Sequence, residues 1–210
     1  KGSDYVNYTE QMIEKDIRVK NEFYIAPMYN LMIRDGLKVT AANTEKMHVL
    51  GTPHQFEFFV KRVITRFGDK PIALASDHSG FDAKKQCKDI LESFALPYID
   101  VGTFTNKACD YPDYVLQVTK LIQSNECSHG ISFCRSGQGA NITANKVKGI
   151  ISALCFDDYT AEYAIKHNCA NHFSIPSKYV DKAKLQSILE TMLNTSFDGG
   201  RHFTRLFKLL

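Results

Sequence analysis

Gly130-Ile131-Ser132-Phe133-Cys134-Arg135-Ser136-Gly137-Gln138-Gly139 is the stretch that decides the fold. Its first half is short, uncharged and rich in β-favouring side chains, as expected of a strand buried on both faces. Its second half breaks into glycines and small polar residues, after which apolar residues recur at three- and four-residue steps over 139–148. Strand, glycine loop and helix in that order make half of a βαβ unit. The same alternation extends both ways. Runs 71–76, 97–101, 149–155 and 171–175 read as further strands, and 82–95, 112–125, 157–167 and 179–193 as helices. The expected class is α/β: a Rossmann-like, doubly wound, parallel five-stranded sheet.

In such sheets ligands bind beyond the carboxyl ends of the strands. Three polar groups are expected together on that edge: Asp77-His78-Ser79-Gly80 after the first strand, Cys134 to Gly139 after the third, and His167-Asn168 before the fifth.

The bulk of the chain sets bounds on function. Of 210 residues, 44% are hydrophobic and 23% charged, the balance of a globular protein, and the apolar runs are too short to cross a bilayer. A net charge of +3, mixed with acids throughout, does not point to nucleic acid or to an anionic membrane surface, so any anion site must be local. The six cysteines form no C-x-x-C pair, and no Cys/His spacing suits zinc; a reducing, cytoplasmic setting and no metal are expected. The chain opens at Lys1 without a methionine or a secretory pattern, so a piece of a longer product is one expectation.

Residues 1–69 differ from the rest. A helical stretch at 21–34, an apolar run at 37–42, and Met47-His48-Val49-Leu50-Gly51-Thr52-Pro53 leading into 55–66 mark a mostly helical extension without a glycine-rich phosphate loop. The expected division is 1–69 and 70–210.

Taken singly, each polar residue has two readings. Gly137 and Gly139 put backbone N–H groups before a helix, which suits an oxyanion, but glycines also serve plain turns. Cys134 could be a thiolate base or a buried structural cysteine. Ser136 could relay a proton or cap the helix. His167 beside Asn168 offers acid–base chemistry near neutral pH, or a favourable charge at a helix end. Asp77-His78 could be catalytic or an N-cap. Arg201 and Arg205, four apart, suit a phosphate or simply face solvent.

The combination narrows the choice. Asp77-His78-Ser79-Gly80-Phe81, Val101-Gly102-Thr103, Asp110-Tyr111-Pro112-Asp113-Tyr114, Cys134-x-Ser136-Gly137-x-Gly139, Ala144-Asn145-Lys146, His167-Asn168 and Gly199-Gly200-Arg201-His202-x-x-Arg205 stand in one order. Over residues 70–207 this order and spacing resemble the ribose-5-phosphate isomerase B and galactose-6-phosphate isomerase family. Segment 21–30 with Leu50-Gly51-Thr52-Pro53 resembles the closing part of a sugar nucleotidyltransferase domain, which makes the extension a possible remnant of a two-enzyme polypeptide.

The resemblance implies interconversion of phosphorylated aldoses and ketoses through an enediolate, with no cofactor. Cys134 would be the base, Ser136 would help move a proton between the sugar oxygens, and the N–H groups around Gly137 and Gly139 would hold the enediolate charge. His167 with Asp77 would open the sugar ring, Asn168 would bind a sugar oxygen, and His78, Arg201 and Arg205 would hold the phosphate. The family places its sites between two subunits, so a homodimer is implied, with His167 and the arginines coming from the partner of the chain that supplies Cys134. Three departures bear on substrate. Arg135 replaces a glycine and either crowds the site or binds an extra anionic group. Lys178 replaces a phosphate-binding arginine, a point charge for a planar fork. Pro176 replaces a glycine. The other readings are a hexose-6-phosphate substrate, a sugar-phosphate-binding module without catalysis, and a flavodoxin-like nucleotide domain, for which no G-x-G-x-x-G follows the first strand.

Overall fold

Alternating side chains can bury both faces of a strand only if helices cover both sides, and the apolar runs here are arranged that way. In the computed structural model, which describes residues 2–40 and 65–209, all five expected runs form strands. They are β1 (Ile72–Ser76), β2 (Tyr98–Asp100), β3 (His129–Cys134), β4 (Ser152–Leu154) and β5 (His172–Pro176). Every pairing is parallel, in the order β2-β1-β3-β5-β4.

The chain divides into two units, Lys1–Glu45 and Lys46–Leu210. The first contains α1 (Gly2–Glu14) and α2 (Ile25–Arg34), joined by a small core of Tyr8, Met12, Met28 and Leu31. The expected run at 47–53 lies outside the described residues, as do the end of 37–42 and all of 55–66 but its last two residues. The second unit contains the sheet and α3 (Phe81–Ser93), α4 (Tyr111–Gln123), α5 (Gln138–Asn145), α6 (Asp158–Lys166), α7 (Lys182–Asn194) and α8 (Arg201–Leu206). Among the described residues no helix is long and apolar enough to cross a membrane.

The two faces of the sheet are unequal. On one, Ile72, Leu74, Ile131, Phe133, Phe173 and Ile175 pack with Leu91, Ala161 and Ile188 from α3, α6 and α7. Each large side chain fully buried there contributes roughly 1.5–3 kcal/mol. The core reaches back to Phe67, whose ring lies 5.4 Å from His129 and 5.8 Å from Phe173. On the other face the side chains are small: Ala73 and Ala75 meet Val118 of α4, and Cys134 meets Ala140 and Ala144 of α5. This small-residue face admits polar groups. His172, fully buried, bridges Ser132 Oγ at 2.8 Å and Ser152 Oγ at 2.7 Å, and burial holds its pKa down at about 3.

Two of the helices, α6 and α7, have their starts capped by short polar side chains. Asp157 and Thr160 form a reciprocal capping box on α6, and Asp181 accepts from the Lys184 N–H at 2.8 Å on α7. From β1 the chain moves one way to β2 and then crosses to β3 on the opposite side. That reversal opens a crevice between the carboxyl ends of β1 and β3.

Candidate active site

Two segments meet in that crevice. After β1, Asp77 turns the chain into a single 3-10 turn, His78–Gly80, and accepts from the Gly80 N–H at 2.9 Å. Its backbone N–H donates to Phe133 O at 3.2 Å, tying the turn to β3. Gly80 is required by closeness, since a Cβ there would lie 2.5 Å from Phe133 O and 2.6 Å from Phe133 Cβ. Asp77 is buried, which raises its carboxyl above the ordinary value, opposed by the Gly80 hydrogen bond and the neighbouring His78. His78 is exposed, with Nδ1 within 3.2 Å of the Cys109 N–H.

After β3, Cys134 is buried against Val115, Ala140 and Ala144, and the chain turns through Arg135, Ser136 and Gly137 into α5. Gly137 is left-handed, with φ of 73°, and a Cβ there would lie 2.3 Å from Leu154 Cδ1. At Gly139 a Cβ would meet the Tyr111 ring at 2.4 Å, so that ring lies directly over the first turn of α5. The N-cap Gly137 supplies no side chain to bond the first turn of α5, and among the described residues only Ser136 Oγ reaches it, accepting weakly from the Gln138 N–H at 3.4 Å. The free N–H groups of that turn carry partial positive charge toward the crevice. The end of β5 closes the far side, with Lys178 N–H donating to Arg135 O at 3.1 Å. Arg135 and Lys178 are both exposed, and neither has an acidic partner among the described residues. Asp77, His78, Cys134, Arg135, Ser136, Gly137, Gly139 and Lys178 thus come together as one cluster.

His167 and Asn168 do not join it, which corrects the expectation of three polar groups on one edge. The reason is geometric. A crossover helix runs back against its strand, so α6 returns the chain to the amino ends of the strands. Asn171, just beyond, confirms the placement: its carbonyl accepts from Gly130 N–H and its side-chain Oδ1 from Ile151 N–H, both at strand starts.

His167 belongs instead to a second cluster on that amino edge. Its ring stacks on His202 at 4.0 Å and meets Tyr163 edge-on at 4.5 Å, and its Nε2 lies 3.9 Å from Asp198 Oδ2. Arg201 donates from Nε to His202 Nε2 at 3.5 Å. Burial, together with His167, Arg201 and Arg205, lowers the pKa of His202. Arg201 and Arg205 are exposed on α8, and Asn168 Nδ2 donates to Tyr163 O at 3.2 Å.

Several residues of these clusters escaped the sequence reading, Tyr163 and Asp198 among them. Tyr111 and His202 stand inside quoted motifs, which was the available signal. Ser174 and Ser177 had none, because their partners, Gly137 and Cys134, lie about forty residues away.

Comparison with known proteins places this geometry in a family. Residues 72–209 match the ribose/galactose isomerase family model. The solved ribose 5-phosphate isomerase B of Thermotoga maritima superposes with a TM-score of 0.66 at 39% identity, covering 67% of this chain and 97% of that one. That of Clostridium thermocellum gives 0.65 at 39% identity, covering 66% and 94%. The ribose-5-phosphate isomerase B of Escherichia coli strain K12 is 34% identical over 137 residues, which is 65% of this chain and 92% of that one. The chain belongs to the ribose/galactose isomerase family.

Proposed function

We propose that this chain interconverts a five-carbon aldose phosphate and its ketose, ribose 5-phosphate and ribulose 5-phosphate, through an enediolate. The relatives bear the name of that reaction. The observation that carries the reading is the joining, at the switch point of the sheet, of a cysteine with the uncapped N-terminus of α5. Cys134 as thiolate takes the proton from the carbon beside the carbonyl. The C–H electron pair becomes the new C=C bond, and the carbonyl pair moves to oxygen, where the N–H groups about Gly137 and Gly139 meet the charge. The proton returns to the neighbouring carbon, and Ser136 carries the hydroxyl proton from one oxygen to the other.

The remaining groups lie on the wrong edge of the same chain, and this supports a shared site. A two-fold related copy lays the amino edge of one chain on the carboxyl edge of its partner. His167 then acts with Asp77 in ring opening, Asn168 holds a sugar oxygen, and Arg201 and Arg205 join His78 and Lys178 around the phosphate. Binding energy at that remote group holds the carbon centre in place.

The test is an isomerisation assay with ribose 5-phosphate and hexose 6-phosphates, beside Cys134→Ala. Turnover of the pentose phosphate that vanishes in the variant is expected. Equal turnover by both chains would remove Cys134 as base, and no turnover on any sugar would remove the function.

A further inference from the structure

β5 and the two residues that follow it hold the carbonyl oxygens of Cys134, Arg135 and Gly137. Ser177 N–H donates to Cys134 O at 3.0 Å and Lys178 N–H to Arg135 O at 3.1 Å. Ser174 Oγ donates to Gly137 O at 2.6 Å, from a side chain with no exposed surface. Gly137 O also takes the Asn141 N–H at 3.0 Å, the first bond of α5.

The C=O and N–H of a planar peptide point in opposite directions, so a carbonyl fixed inward aims the next N–H outward. For the Gly137–Gln138 peptide that N–H belongs to Gln138. It stands beside the N–H groups of Gly139 and Ala140, which have no acceptor within the helix. The loop has little room to tilt, because Pro176 N lies 3.2 Å, and Leu154 Cδ1 2.3 Å, from where a Gly137 Cβ would be. A hydroxyl on a buried sheet face costs free energy unless it is hydrogen-bonded, and among the described residues the Ser174 hydroxyl donates to Gly137 O.

We propose that Ser174 is a positioning residue for the isomerisation: its hydroxyl, reaching up from inside the sheet, fixes the Gly137–Gln138 peptide so that its N–H meets the enediolate oxygen. This rests on the isomerase reading above. Ser174 never touches the sugar; it sets the direction of the dipole that does, and preorganised dipoles matter most where charge develops. Its effect therefore belongs to the transition state and not to phosphate capture.

The experiment compares the full chain with Ser174→Ala and Ser174→Cys, the latter close in shape but a weak donor. It measures kcat, KM, the affinity for a phosphorylated hydroxamate that mimics the enediolate, the affinity for inorganic phosphate, and Tm. Ser174→Ala is expected to lose about tenfold in kcat and the same factor in hydroxamate affinity, the factor that one ordinary hydrogen bond represents. KM and phosphate affinity should hold, and Tm should fall by only about 2–4 °C, the loss of one hydrogen bond. Ser174→Cys should show the same split, which keeps the test alive if the alanine chain does not fold. Unchanged kcat and hydroxamate affinity would overturn the proposal, as would hydroxamate and phosphate affinities falling together. A wild-type chain that neither turns over sugars nor binds the hydroxamate would remove the isomerase reading itself. An active wild type matched by Ser174→Ala would remove only the role of Ser174.

Discussion

Gly80→Ala is the substitution whose effect follows most directly from the packing. The backbone of Gly80, φ −95° and ψ −1°, is open to any residue, so no dihedral strain arises. The new methyl would stand 2.5 Å from Phe133 O and 2.7 Å from Phe133 C, backbone atoms of a fully buried strand that cannot rotate away. Ordinary contact begins near 3.4 Å, so the 3-10 turn must lift from β3 by about 1 Å. Overpacking of this kind costs roughly 1–3 kcal/mol, and loss of the Asp77–Gly80 hydrogen bond adds about 1 kcal/mol. At 2–4 °C per kcal/mol for a chain of this size, Tm should fall by roughly 5–15 °C. Lifting the turn also carries Asp77 and His78 away from Cys134. A displacement near 1 Å can cost on the order of 100-fold in rate, so kcat/KM should drop far more than the folded fraction does. Thermal melts and steady-state kinetics on the same preparation measure both. A Gly80→Ala chain with Tm within about 2 °C of wild type and unaltered kcat/KM would refute the close approach of this turn to β3.

Two further predictions come from unpaired or buried charge. Arg135 is exposed beside the Cys134 loop, so Arg135→Gly should alter discrimination between mono-anionic and doubly anionic sugar phosphates by about tenfold or more, read as a ratio of kcat/KM values; an unchanged ratio would show that the cation plays no part in substrate choice. His172 stays neutral in the fold down to about pH 3 while the unfolded chain protonates near 6.5, so below that point the unfolded state binds the extra proton. Stability should therefore fall as pH drops from 6.5 toward 3, with a slope of up to about 1.4 kcal/mol per unit that a His172→Leu chain lacks; denaturant unfolding at several pH values measures it, and parallel slopes in the two chains would contradict it.

The elements that sequence made legible are those whose information is local. β3 and α5 could be read from one stretch because a buried run, a glycine turn and a 3.6-residue period all lie in sequence there. The α7 start was harder: it falls at Lys182, three residues later than the apolar period implies, because Asp181 caps it. The edge on which His167 lies was misjudged for a topological reason. A polar pair next to a strand reads as belonging to the carboxyl edge until the antiparallel return of α6 is taken into account. Contacts across the sheet left no trace at all. Lys84, almost fully buried and paired with Asp100, would pass as a solvated helix lysine, and burial lowers its pKa despite that partner. Ser174 and His172 in β5 would pass as interruptions of an apolar strand until their partners in β3, β4 and the glycine loop are seen.

The central claim is that one working site takes Cys134 from one chain and His167 with Arg201 from another. Mixing two inactive chains, Cys134→Ala and His167→Ala/Arg201→Ala, measures it directly after joint unfolding and refolding. If the site is shared, each mixed dimer holds one intact site, and random pairing should restore about a quarter of wild-type turnover on ribose 5-phosphate. If all of these residues served within a single chain, the mixture would remain as inactive as its parents.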